Sequence, residues 1–341
     1  MKRFISGISA FGALMLIVLI GLGFAQSHHP AFDSFSHFRL IFAAALLLVT
    51  PLLWLKGRKP IAWAALATIV ITVIVTLPYF PGMQRGFALK NSTKDWNRIS
   101  VIQLNMRFNN EDTDRIVSTL KKYPSDVLLL QELTKTTAPV LGAFSQAYPY
   151  QLECYSSGVG SVAILSKHPL AGTPSKSCLR FDGFASASLA VGDKEFTVAS
   201  FHSRWPWPAG QSRQLDRLTP EFQNLRRDFS ILAGDFNAAP WSHALTQVSN
   251  MTGLQMPSGL KFTWAPRLQD TRTISKHFSD VPNELQRLKL PQWVVDFQNL
   301  FGPILPIDHI LHSSNLSPLS REVLPDVGSD HYPIRTVFVW K

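Results

Sequence analysis

Six short polar motifs recur along residues 99–341, and in each a carboxylate, amide or imidazole follows or precedes an apolar run. Asn105 follows the run 101–104, Glu132 follows 127–130, and His202 follows 197–201. Asp235 and Asn237 follow 231–234, Asp308 opens a late apolar run, and Asp330 and His331 precede the last one. Buried strands that release polar groups at one end build a shared cleft there. The donors are hard oxygens and imidazoles, which suit Mg²⁺, Mn²⁺ or Ca²⁺. Asn105 and Glu132 offer such an ion one neutral and one charged oxygen. A hard cation neutralises a phosphate and the charge that develops on it, and histidines beside carboxylates supply a proton donor or acceptor. The combination is equipment for hydrolysing a phosphate ester. Each residue alone is weak, since an Asn after a strand is most often a turn residue. GDFN is stronger, because a Gly-Asp turn directly after a buried strand exposes Asp235 and Asn237 at its tip.

The elements that must carry these groups can be read from periodicity. Strands are expected at 99–104, 126–130, 160–165, 186–191, 196–201, 229–233, 307–312 and 334–340, and amphipathic helices at 113–123 and 211–227. Layered α and β elements with much antiparallel pairing follow from that order.

The motifs QLN at 103–105, LLLQE at 128–132, SFH at 200–202, GDFN at 234–237, PIDHIL at 306–311 and SDHYPI at 329–334 stand in an order that resembles the endonuclease/exonuclease/phosphatase (DNase I-like) superfamily. That superfamily includes DNase I-like nucleases, abasic-site nucleases, inositol-phosphate 5-phosphatases and sphingomyelinases. The resemblance covers 99–341. It implies an α+β fold, a four-layer α/β sandwich of two packed mixed sheets flanked by helices, and a metal-dependent phosphoric ester hydrolase. It also implies roles. Glu132 would be the main metal-binding carboxylate, with Asn105 beside it and Asp330 helping. Asp235 would orient or deprotonate the attacking water, and Asn237 would hold a phosphoryl oxygen and the nucleophile. His331 would bind the scissile phosphate or act as acid/base, with Asp308 on its other ring nitrogen. His202 would be a second phosphate-side histidine. One fold hosts several substrates, so the resemblance does not choose among them. QLNMRFNN lacks the Gly-rich turn that abasic-site nucleases carry after this Asn, which argues against DNA repair. The stretch 269–303 exceeds the compact family loop, and its amphipathic part 281–301 fits a membrane-lying segment, a lid or a helix on the domain's own core.

The remaining quarter of the chain is of another kind. Only 16% of the 341 residues are charged, against about 25% in average soluble chains. Residues 1–80 hold six Lys/Arg and one acid, Asp33. Apolar runs at about 4–25, 36–55 and 60–80 approach the roughly 20 residues that a hydrocarbon core requires of a helix. They read as a three-helix transmembrane anchor, joined through a linker at 81–98 to the catalytic domain at 99–341. A cleaved signal peptide is the alternative for the first run; its length and the two runs behind it favour retention. Lys2 and Arg3 precede the first run, and Lys56, Arg58 and Lys59 separate the second and third, while 26–35 holds no Lys or Arg. The positive-inside rule then puts the N-terminus in the cytoplasm and the catalytic domain outside, on a cell (inner) membrane. Trp205 and Trp207, just after His202, fit base stacking, a lipid interface or plain packing.

Net charge is +10, of which the anchor supplies half, so 81–341 are only mildly basic. The partners expected are the bilayer and a phosphate-ester substrate, lipid or nucleic acid, with no segment pointing to an obligate protein partner. A tethered nuclease is the competing activity. A non-catalytic binding module is disfavoured, because Glu132, Asp235, Asn237 and His331 are all in place. Cys154 and Cys178 are the only cysteines and either pair or stay as buried thiols.

Overall fold

The structure is a computed structural model that describes residues 2–80, 96–155, 159–171, 176–225, 228–266 and 302–341. The amphipathic stretch at 281–301 lies outside the described residues.

Two sheets make the body. The first contains β1 (Asn97–Asn105), β2 (Val127–Gln131), β3 (Tyr150–Cys154), β4 (Val162–Ser166), β10 (Ser317–Val323) and β11 (Ile334–Trp340), in the order β10-β11-β1-β2-β4-β3. The second contains β5 (Lys176–Leu179), β6 (Phe184–Val191), β7 (Lys194–His202), β8 (Ser230–Asp235) and β9 (Asp308–His312), in sequence order. Each sheet has one parallel pair, β1 with β2 and β7 with β8, and antiparallel neighbours elsewhere. The parallel pairs bring the C-terminal ends of adjacent strands together. Asn105 therefore stands beside Gln131, and His202 beside Asp235.

Alternation along the strands builds the layers. Ile99, Val101, Val127, Leu129 and Ile164 face Ala185, Phe196, Val198, Ile231 and Ile310 across the sheet interface. On the outer side of the first sheet, Ile102, Leu128 and Leu130 pack under α5 (Thr113–Lys122) and α6 (Pro139–Ala143). Outside the second, Ala199, Phe201, Leu232 and Leu311 pack under α7 (Gln211–Asn224) and α8 (His243–Thr252). The result is helix, sheet, sheet, helix, the four-layer α+β sandwich that the motifs imply. A disulfide between Cys154 on β3 and Cys178 on β5 ties the edge strands of the two sheets.

The N-terminal helices are α1 (Lys2–Phe24), α2 (Pro30–His37), α3 (Arg39–Leu55) and α4 (Lys59–Thr76), the last continued by a 3-10 turn, Leu77–Tyr79. Two stretches, Ser6–Phe24 and Lys59–Tyr79, are long and apolar enough to cross a membrane by themselves. The second of the three expected spans differs from expectation. α3 has 17 residues, about 26 Å of helix against a core of about 30 Å. Only with α2 added, across a 60° bend, does it pass the same test. The bend has a physical cause. The Arg39 guanidinium is drawn inward to Gly23 O (2.8 Å) and over the Phe24 ring, while the polar α2 turns toward the body of the molecule.

Candidate active site

Three of the site's backbone positions are bent into the left-handed region without being glycine: Arg107 (φ 61°), Glu132 (φ 57°) and Asn237 (φ 46°). Such conformations are uncommon for non-Gly residues and gather where structure holds a functional group in place. All three lie one or two residues past the ends of central strands, where the sandwich can hold them. Gly234 has a different reason to be glycine. A Cβ there would collide with the Phe201 carbonyl, because β7 and β8 pair side by side at that register.

Asp235 is the hub. It is 1% exposed. Its Oδ1 accepts from Asn237 N at 2.8 Å, and its Oδ2 from Asn105 Nδ2 at 3.0 Å and Asn237 Nδ2 at 3.3 Å. The same Oδ2 lies 3.6 Å from His202 Nε2 and 3.6 Å from His331 Nε2. Glu132 sits alongside. Its Oε1 accepts from Asn105 Nδ2 at 2.9 Å and lies 3.7 Å from His202 Nε2, while Oε2 accepts from Phe108 N at 2.6 Å. Asn105 thus bridges the two carboxylates with its amide nitrogen. Its Oδ1 turns to Arg107 N (2.9 Å) and not toward the carboxylates, so the oxygen expected to face a cation is engaged by the backbone.

The second histidine is buttressed from behind. His331 Nδ1 and Asp308 Oδ2 are 2.9 Å apart. Thr263 Oγ1 donates to Asp308 Oδ2 at 2.6 Å, and Gln103 Nε2 to Oδ1 at 2.7 Å. Burial alone would raise the Asp308 carboxyl, but His331 and these hydrogen bonds outweigh it and hold it below the usual carboxylate range. Burial likewise works against the charged form of His331, and Asp308 and Asp235 overcome it, raising the imidazole well above its ordinary value. Asp235 goes the other way from an ordinary acid. Burial pushes it up to about 6, against the pull of His331 and His202. Both groups therefore bind a proton more tightly than the free side chains do, which brings Asp235 toward the neutral range where a general base works best.

Asp330 stands apart from this knot. Its Oδ2 accepts from Trp264 Nε1 at 3.3 Å and its Oδ1 faces Ser329 Oγ at 3.4 Å. Among the described residues, Asp235, Asp308 and His331 form the group of acid and imidazole atoms within 4.8 Å of one another that could hold a metal ion. Asp308 already accepts three hydrogen bonds, so its ligand capacity is mostly taken. Glu132 and the desolvated Asp235 present hard carboxylate oxygens whose other partners are amide, imidazole and backbone groups, a donor set that fits a hard divalent cation. The Glu132→Gln variant is expected to bind Mn²⁺ at least about tenfold more weakly in a calorimetric titration, because a charged ligand becomes neutral. An unchanged titration would remove Glu132 from the metal site.

Gln103 and Gln131 fall inside the QLN and LLLQE motifs without a role expected of them, and Thr263 falls in none of the motifs. Gln103 lies two residues before Asn105 on one strand, hence on the same face, which is a usable signal. Gln131 bridges the sheets by donating to Ser200 Oγ at 2.9 Å. Thr263 lies in an irregular segment that carries no pattern.

Comparison with known proteins agrees with the fold. A solved endonuclease/exonuclease/phosphatase of Bacteroides vulgatus superposes with a TM-score of 0.51 at 13% identity, over 72% of this chain and all (100%) of that one. Staphylococcus aureus beta toxin with bound magnesium ions gives 0.48 at 15% identity, over 72% and 100%. D. rerio TDP2 with a single-strand DNA product gives 0.46 at 18%, over 71% and 99%. No curated protein sequence is significantly similar to the chain. The sequence model of the Endonuclease/Exonuclease/phosphatase family matches residues 102–331, a span that takes in every strand-end residue of the cleft. On that match and this architecture, the chain belongs to the endonuclease/exonuclease/phosphatase family.

Proposed function

We propose that the protein is a membrane-anchored, divalent-metal-dependent phosphoesterase that hydrolyses the head-group phosphoester of a lipid on the extracytoplasmic side. The observation that carries the lipid reading is where the N-terminal helices touch the body. They meet the two loops that continue from His202 and Asp235. Trp205 stacks on Phe38 (centroids 6.5 Å, interplanar angle 5°) and packs on His37, at the bend between α2 and α3. Trp241 Nε1 donates to Ser36 O at 2.7 Å. A cleft whose own loops rest on the anchor opens within reach of lipid head groups. Trp207, 57% exposed on the same loop, suits the interface with its amphipathic ring.

The disposition of charge supports the orientation. Lys2 begins α1 and Lys59 begins α4, at the ends away from the loops that meet the body. The disulfide supports an oxidising compartment.

In this reading Asp235 takes a proton from water held by Asn237, and the water oxygen bonds to phosphorus in line with the departing ester oxygen. The phosphorus–oxygen ester bond breaks, and the leaving oxygen takes a proton from solvent. His331, held as imidazolium, and His202 donate to phosphoryl oxygens where charge develops. Glu132 and Asp235 would hold a hard cation, which would supply further charge neutralisation on the phosphoryl group.

The test uses full-length protein in detergent with Mg²⁺, offered phospholipid vesicles or supercoiled plasmid. Head-group phosphate release that EDTA abolishes is expected. Nicked DNA beside intact lipid would replace the lipid reading with a tethered nuclease, and no hydrolysis of either would remove both.

A further inference from the structure

Asp33 is the sole acid among the first 80 residues, and it is 4% exposed. Its partners lie some 210 residues away, on the body. Oδ1 accepts from His243 N at 3.0 Å and Oδ2 from Ala244 N at 3.0 Å. These are the first two residues of α8, whose N-terminal N–H groups have no partner within the helix. Ser242, the residue before, caps Leu245 N at 3.1 Å. A carboxylate from the anchor thus completes the cap and meets the positive end of the helix dipole.

The placement matters because of what precedes α8. Residues 235–242 form one short buried connection that starts at Asp235, passes Asn237 and ends at Ser242. Its beginning is tied to the other catalytic loop, with Asn237 Nδ2 donating to Ser203 O at 2.8 Å and Gln211 Nε2 to Phe236 O at 3.0 Å. Its far end is tied to the anchor. Trp241 Nε1 reaches Ser36 O, Gln26 Nε2 donates to Trp241 O at 2.8 Å, and Ser36 Oγ donates to Asp33 Oδ1 at 3.0 Å. The contact is a strut and not a continuous seam, since a cavity of about 190 Å³ opens beside it, lined by His29, Asp33, Gln211 and His243.

We propose that Asp33 is a positioning residue for catalysis. With Trp241 it fixes the far end of the connection that presents Asp235 and Asn237, so the anchor completes the active-site geometry as well as tethering it. The inference rests on the phosphoesterase reading for its kinetic arm only. A displacement of about 1 Å in a reacting group costs on the order of 100-fold in rate, so loosening this end is expected to lower kcat about 10- to 100-fold. The substrate's own contacts are untouched, so KM for a small soluble diester stays within about twofold.

The test compares wild type, Asp33→Ala, Asp33→Asn and Trp241→Phe as full-length proteins in detergent. Each is assayed with bis(p-nitrophenyl) phosphate and Mn²⁺ and followed by amide hydrogen exchange. Asp33→Ala is expected to lose kcat with KM kept, and to exchange faster at 236–245 while β1 and β2 stay protected. Asp33→Asn retains one acceptor and is expected to recover part of both. Wild-type exchange and kcat in Asp33→Ala would overturn the proposal. So would faster exchange throughout both sheets with a lowered melting temperature in Ala and Asn alike, which would assign Asp33 to stability. Should the wild type hydrolyse no phosphoester, the function reading falls, and exchange confined to 236–245 or absent there still decides the strut.

Discussion

Asp235→Asn is expected to leave a folded protein with kcat lowered by about 10³- to 10⁴-fold, the upper range for losing a general base. The carboxylate is the meeting point of the cleft, in reach of His202, His331, Asn105 and Asn237 at once. Asparagine keeps the shape and the bond from Asn237 N to Oδ1, but it sets an NH₂ against the Asn105 amide nitrogen. Two facing donors cost about 1–3 kcal/mol. A compensating gain comes from the charge that is removed. The folded pKa of Asp235 is raised from 3.8 to about 6, so the unfolded state gives up its proton first. Stability from this group is therefore complete below pH 4 and falls as pH rises toward 6. Above that the wild type carries a penalty of about 3 kcal/mol, at 1.36 kcal/mol per pH unit. Asparagine carries none of it. The two terms offset, so the melting temperature at pH 7 is expected to change little while turnover collapses. Thermal unfolding and steady-state kinetics on one preparation check both. A variant that keeps more than about a tenth of wild-type kcat would remove Asp235 from the role of base.

That contrast between a costly charge and the chemistry it serves also explains which parts of the molecule were legible in its sequence. The central strands announce themselves as unbroken apolar runs, and the polar groups of the cleft follow because each sits at one end of a run. β1, β2, β7, β8, β9 and β11 all coincide with expected strands to within a few residues. The edges do not. β10, SPLSREV, is half-exposed along its length and shows no apolar alternation, and β3 and β5 are short outer strands held by their neighbours and the disulfide. α8 is nearly as polar as apolar, and only Ser242 marks its start. The site's supports were illegible for a different reason. Thr263 reaches Asp308 across 45 residues of sequence, and Asp33 reaches α8 across 210. No local pattern encodes such pairings. Asp33 did leave a trace, as the one acid among the first 80 residues. The trace could flag the residue but could not name the partner.

The same long-range logic governs the second large effect. His331→Ala is expected to lower kcat about 10²- to 10³-fold, the loss typical of removing one preorganised donor to a developing anion. The imidazole does not act alone. Asp308 accepts from Nδ1, which leaves Nε2 to point at Asp235 and the cleft, and Gln103 and Thr263 hold Asp308 in that orientation. The sign of the pH dependence follows. His331 has a folded pKa above its ordinary value, so the imidazolium is fully present below pH 6.5 and is lost as pH rises through the raised value. Activity that needs this proton falls on the alkaline side. Asp308→Asn removes the nearest of the three carboxylates that sustain the charge. Taking away an opposite charge at hydrogen-bond distance lowers such a pKa by about one unit or more. The alkaline limb of kcat is therefore expected to move to lower pH in Asp308→Asn, with a smaller loss at pH 6 than at pH 8, and to vanish in His331→Ala. The residual activity of His331→Ala would then be flat where the wild type declines. An alkaline limb that stays put in Asp308→Asn would mean that some other group sets it, and the pairing of Asp308 with His331 would then hold the ring in place without tuning its charge.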